Sequence, residues 1–147
     1  MNAPSKVGPP ISTEVYLNNR TDQDFGRLDK IDWCGTSKPP VNVPSQQTRY
    51  FMQLADSFLG CSEGGLVFVV NQDIKWVVAW SNTLDDNKVY TEITKKETIE
   101  WDKIKEKLEK STSNVEVTDE GYKSTVDIDP YSVKPNVNAK LEDAPAA

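Results

Sequence analysis

Three consecutive runs in the middle of the chain carry the clearest pattern of apolar and polar positions. Gly64-Gly65-Leu66-Val67-Phe68-Val69-Val70 is almost wholly apolar, Asn71-Gln72-Asp73 is polar, and Ile74-Lys75-Trp76-Val77-Val78-Ala79-Trp80 is apolar again. Side chains alternate along a strand, so Trp76, Val78 and Trp80 share one face and Lys75, Val77 and Ala79 the other. The two runs predict a buried hairpin, entered through a glycine turn at Gly60, Gly64 and Gly65. After the turn cluster Ser81–Asn87, the run Lys88-Val89-Tyr90-Thr91-Glu92-Ile93 puts Val89, Thr91 and Ile93 on one face. That makes it an antiparallel partner for 74–80.

Weaker alternation flanks this meander. Residues 11–18 predict a first strand with Val15 and Leu17 facing one way. Residues 27–33 predict a short edge strand, and Pro39, Pro40 and Pro44 turn 34–48 into a long loop. The run 49–58 fits both strand and helix spacing, and its Tyr and Phe residues favour the strand. One helix is expected over 97–110. Thr94 and Glu97 have capping-box spacing, and Trp101, Ile104 and Leu108 form an apolar stripe amid alternating charges. A short strand at 115–117, a turn at Asp119-Glu120-Gly121 and a strand at 122–128 follow, the last alternating Tyr122, Ser124, Val126 and Ile128 with polar residues. Residues 1–10 read as a flexible leader, 11–134 as a single β-rich domain and 135–147 as a frayed tail. The fold class is therefore mainly β: an antiparallel β-sandwich of about seven strands with one amphipathic helix.

Composition narrows the function classes. The 147 residues carry 17 Lys and Arg against 23 Asp and Glu, a net charge of −6, which argues against recognition of a nucleic-acid backbone. No apolar run is long enough to form a transmembrane helix, and no signal-peptide core is visible. The expected location is cytoplasmic, or secreted if a presequence has been removed. Cys34 and Cys61 are the two cysteines. A disulfide between them would close a sizeable loop, whereas a reducing compartment would keep both as thiols.

The absence of histidine removes the commonest general base near neutral pH and the usual nucleophile triads. It also removes most zinc sites, and no metal or cofactor is expected. Glu63, Asp73, Asp85 and Asp86 are read as turn and surface carboxylates. The glycines before the hairpin lack the lysine of a phosphate-binding loop. The aromatic residues are the most suggestive set: Trp33, Tyr50, Trp76, Trp80 and Tyr90 could stack on sugar rings or settle among lipid headgroups, since each joins an apolar body to a polar edge. Trp76 and Trp80 also have the spacing of core residues on one strand. Trp33 and Tyr50 flank the Pro-rich loop, which makes that loop the expected binding region.

The stretch Trp76-Val77-Val78-Ala79-Trp80-Ser81-Asn82, continuing through Asn87-Lys88-Val89-Tyr90-Thr91-Glu92-Ile93, resembles the plant jasmonate-induced proteins of the 23-kilodalton type and their homologues. The layout also resembles the aegerolysins: a first strand ending in Asn18-Asn19, a segment with Trp33 before a glycine-containing turn, a Pro-rich connection and a long antiparallel meander. The first resemblance implies a stress-responsive cytosolic protein without an assigned enzymatic activity. The second implies a compact β-sandwich that binds membrane lipids. The expected function is thus a non-enzymatic stress or defence-related binding protein, its ligand a lipid or a carbohydrate. The alternatives are an interaction module acting through the 97–110 helix and a carboxylate-dependent hydrolase. Homodimerisation through an open sheet edge is compatible with the pattern.

Overall fold

The computed structural model describes residues 11–56, 60–83 and 86–145. The expected leader at 1–10, Phe58 of the 49–58 run and part of the 81–87 turn lie outside these residues. Among the described residues, eleven strands and one helix follow in chain order: β1 (Ser12–Arg20), β2 (Phe25–Cys34), β3 (Thr36–Ser37), β4 (Asn42–Val43), β5 (Thr48–Leu54), β6 (Ser62–Asn71), β7 (Ile74–Asn82), β8 (Asn87–Thr94), α1 (Trp101–Glu109), β9 (Asn114–Asp119), β10 (Tyr122–Ile128) and β11 (Asn136–Asp143). They form two sheets, β3-β5-β1-β11-β10-β9 and β4-β2-β6-β7-β8. The expected sandwich is observed, and the central meander is its second sheet from β6 through β8.

The core lies between the sheets, where the inward faces meet. Val15 and Leu17 of β1, Val126 of β10 and Val137 and Leu141 of β11 come from one side. Phe68 of β6, Trp76, Val78 and Trp80 of β7 and Val89 of β8 come from the other, all without exposed surface. Each tryptophan has an edge contact with a phenylalanine, Phe25 against Trp76 at 5.7 Å and Phe51 against Trp80 at 5.8 Å between ring centres. Their indole N–H groups are satisfied across the layers. Trp76 donates to Ser124 Oγ at 2.8 Å and Trp80 to Gln53 Oε1 at 2.7 Å.

A second, smaller apolar layer covers the outer face of the meander sheet. Ile104 and Leu108 of α1 pack on Val67, Val77 and Ala79, with Trp33, Tyr90, Ile99 and Trp101 around them. The helix is shorter than 97–110 and the capping box does not form. The N-cap is Glu100, whose side chain makes no cap bond. Thr94 remains in β8 opposite Lys75, and its Oγ1 accepts from the Lys96 amide at 3.1 Å. Strand pairing thus holds the residue that would have started the helix.

Several other expectations are corrected. Residues 136–143 are a strand and not a frayed tail, paired parallel to β1 and antiparallel to β10. The parallel pair makes the sandwich mixed, although every other pairing is antiparallel. Gly64 and Gly65 belong to β6 and not to a turn, facing Trp80 and Ala79 of β7. They are small because neighbours press on them: a Cβ on Gly64 would lie 2.8 Å from the Trp80 ring and one on Gly65 2.6 Å from the Trp101 ring. The loop 34–48 contains the two-residue strands β3 and β4. β2 runs longer than 27–33 but is an edge strand over most of its length, since β4 pairs it only at Phe25 and Gly26.

Cys34 and Cys61 are joined in a disulfide with a Cα–Cα distance of 5.8 Å. The expectation of reduced thiols in a cytosolic setting does not hold here. The bond ties the end of β2 to the start of β6. Glu63 brings its carboxylate within 4.8 Å of both sulfur atoms, yet bonded sulfurs offer no thiolate to a metal.

Candidate functional site

The expected aromatic set does not converge. Trp76 and Trp80 have no exposed surface and are core residues on every side, which removes them from any ligand-facing surface. Trp33 is half-buried beneath α1, edge-on to Trp101 at 5.8 Å, with Lys105 Nζ 5.4 Å from its ring centre. Tyr90 lies on the same outer face and donates to Glu92 Oε1 at 2.6 Å. Burial and then that hydrogen bond raise its phenol well above its ordinary value. Tyr50 is on the opposite outer face of the sandwich, 47% exposed. Trp33 and Tyr50 therefore flank the Pro-rich loop in sequence but open onto different sheets, and the loop is not a site they share.

Tyr50 instead belongs to a surface that sequence reasoning missed. Strand alternation that buries Val15 and Leu17 turns Tyr16 and Asn18 outward from β1. The same rule turns Asn138 and Lys140 outward from β11, Thr125 and Asp127 from β10, and Thr48 and Tyr50 from β5. The register then aligns them. Tyr50, Tyr16, Asn138 and Asp127 face one another in a row across four strands, and Thr48, Asn18, Lys140 and Thr125 form the next row. At the usual strand spacing each row spans about 14 Å.

All of these residues except Tyr50 line an open groove of about 360 Å³, and Tyr50 stands beside it against Tyr16. At one end the Tyr16 and Tyr50 rings lie 5.1 Å apart between centres, tilted by 48°. The Tyr50 hydroxyl donates to Glu14 Oε1 at 3.1 Å, and that hydrogen bond is the main cause of a raised phenol pKa. At the other end Asn138 Nδ2 donates to Asp127 Oδ1 at 3.1 Å, which leaves the Asn138 carbonyl and the second Asp127 oxygen for a visitor. Lys140 pairs with Glu142 at 3.2 Å on the groove's flank. The surface combines two aromatic faces with an amide, a carboxylate, an ammonium and hydroxyls. That set suits a ligand with several hydroxyls and one apolar face better than it suits bond-breaking chemistry.

Residues 2–144 match the Nakanori-like protein family. The chain belongs to that family. A jasmonate-induced protein homolog from Atriplex canescens is 26% identical over 130 residues, covering 78% of this chain and 70% of that relative. Among solved structures, the lipid binding protein Nakanori superimposes with a TM-score of 0.84 at 14% identity, over 92% of this chain and 72% of its own. The Xerocomus chrysenteron lectin XCL superimposes with a TM-score of 0.62 at 15% identity, over 90% of this chain and 100% of its own. At such identities the two structures speak to the fold alone. The resemblance to jasmonate-induced proteins is thereby supported, and so is the sandwich. The signal for the groove was present in the outward residues of 12–20 and 136–143. What could not be read was that these two segments, from opposite ends of the chain, lie side by side.

Proposed function

We propose that this Nakanori-like protein is a non-enzymatic binding protein whose ligand is a carbohydrate, held in the groove on the outer face of the sheet that contains β1 and β11. The observation that supports this reading is the double row of Tyr50, Tyr16, Asn138 and Asp127 beside Thr48, Asn18, Lys140 and Thr125. Tyrosine rings cover the apolar face of a pyranose, and an amide paired with a carboxylate grips neighbouring hydroxyls. A row of about 14 Å accommodates two sugar rings. The fold shared with the lectin XCL agrees with this reading, and the closer likeness to lipid-binding Nakanori favours a second one, in which the same groove takes the polar part of a membrane lipid.

The rival role as an interaction module on α1 has less support, because the helix's apolar stripe is already occupied: Ile104 and Leu108 are 3% and 0% exposed.

Titration against a glycan panel, and against phosphatidylcholine vesicles with and without sphingomyelin or glycolipid, tests the proposal. The protein with Tyr16 and Tyr50 both replaced by alanine should bind at least tenfold more weakly while its thermal midpoint changes little. A flat response of the unmodified protein to every glycan and vesicle would reject the function. Undiminished binding by the double variant would reject the site.

A further inference from the structure

The groove does not end at Asp127 and Asn138. A second open depression, of about 670 Å³, begins at the same two residues and continues over the connection between β10 and β11. The two meet at a corner. The first crosses the strands from Tyr16 to Asp127, whereas the second leads along them, from Asn138 to Asn136 about 7 Å further on the same face of β11, and then onto the connection.

That connection is anchored through its main chain. Asn87 Nδ2 donates to the carbonyls of Asp129 at 2.8 Å and Ser132 at 2.7 Å. The amides of Ser12 and Glu14 donate to the carbonyls of Val133 at 3.3 Å and Pro135 at 3.1 Å. Inside the loop the Tyr131 amide donates to Asp129 Oδ1 at 2.9 Å and the Lys134 amide to Ser132 Oγ at 3.1 Å. Pro130 and Pro135 narrow the backbone further. A ligand meeting this loop therefore has little backbone freedom to remove, which favours binding.

Its outward side chains, by contrast, are unspent. Tyr131 is 92% exposed, and the side chains of Tyr131, Lys134 and Asn136 have no hydrogen bond, ion pair or ring contact among the described residues. Asp129 keeps its second carboxylate oxygen. All four line the second depression. Ring, ammonium, amide and carboxylate are the groups that Tyr16, Lys140, Asn138 and Asp127 bring to the first. The same chemistry thus occurs twice, on either side of a shared corner.

We propose that the two depressions are one continuous site whose ligand is an oligosaccharide of at least three units. This rests on the carbohydrate reading of the groove. Two units lie along the row from Tyr16 to Asp127, and the third turns the corner. Asp127 and Asn138 meet units on both sides of the bend. Tyr131 covers the apolar face of the third unit, and Lys134 and Asn136 donate to its hydroxyls.

Calorimetric titration of the full-length protein with malto-, isomalto-, cello- and chito-oligosaccharides of two to five units reads how many units are engaged. In at least one series Kd should fall fivefold or more between two units and four. In the ¹⁵N-labelled protein the four-unit member of that series should shift amides within 128–136 that the two-unit member leaves in place. Tyr131→Ala and Lys134→Ala, both at exposed side chains, should each cut the gain with length to below twofold, whereas Tyr16→Ala should weaken every length. Binding that does not improve beyond two units, amides within 128–136 that stay still, or an undiminished gain in both variants would overturn this inference and leave the groove standing. No binding by any oligomer of any length would reject the carbohydrate reading and this inference with it.

Discussion

Gln53 shows how one polar residue holds the two sheets in register. It is fully buried, and its four hydrogen-bonding positions are taken. Oε1 accepts from Trp80 Nε1 and Ser62 Oγ, both at 2.7 Å, while Nε2 donates to Asp32 Oδ1 and the Glu63 carbonyl, both at 2.9 Å. Its partners sit on β7, β6 and β2, so one side chain from β5 bridges to three strands of the facing sheet. Gln53→Ala strands the Trp80 indole in a dry interior, leaves the Ser62 hydroxyl only the long contact to the main-chain carbonyl of residue 53 at 3.4 Å to donate to, and opens a cavity. The expected loss of stability is about 3 kcal/mol, since each unmet buried donor costs of order 1–3 kcal/mol. Urea unfolding with an unchanged slope measures it, and a loss below about 1 kcal/mol would mean that water or a neighbour replaces the amide. None of this was legible in the sequence. Gln53 sits between Met52 and Leu54, which are 39% and 56% exposed, so local hydrophobicity inverts the true sense of burial on that strand.

Where elements carry a strong periodic signal, their existence and type follow from local sequence. β7, β8 and β10 were each readable because one face must be apolar and the other need not be. For α1 the stripe was readable and the start was not, because the capping signal at Thr94 and Glu97 competes with a strand that continues through Thr94. The helix is stabilised by what it covers. Leu108→Ala removes a side chain with no exposed surface from the contact with Val77 and Ala79, and the expected cost is about 2–4 kcal/mol by chemical denaturation. Glu97→Ala should cost less than about 0.5 kcal/mol, because Glu97 lies outside the helix and no capping box forms. A large effect of Glu97→Ala would restore the capping box in solution. The aromatic candidates divide in the same way. Trp33 serves the helix layer, whereas Tyr50 serves the open sheet, and their nearness along the Pro-rich loop carried no information about which face either would take.

At the scale of the whole molecule, the two outer faces have different fates. α1 closes the one over Val67, Val77 and Ala79, and the one with Tyr16 and Asn138 stays open as the groove. That second face exists only because the two ends of the chain meet: β11 lies between β1 and β10, pairing Glu14 through Arg20 with Asn136 through Glu142. The segment looked too polar to order itself, since its apolar positions are Val137, Ala139 and Leu141 alone, yet all three are at most 1% exposed. Half of a strand's residues suffice when only one face must be buried. A chain ending after Pro135 loses those three side chains, about 4 kcal/mol of burial, and leaves the ladders of both β1 and β10 unpaired along one side. Total stabilities of such domains are about 5–15 kcal/mol. The truncated chain should therefore show no cooperative thermal or urea transition, whereas Asn138→Ala, one position outward on the same strand, should stay within about 0.5 kcal/mol of the parent. Cooperative unfolding of the truncated chain would mean that β1 and β10 close the sheet without β11. The groove would then have to be sought elsewhere, because its central row of Asn138 and Lys140 would not be a fixed part of the fold.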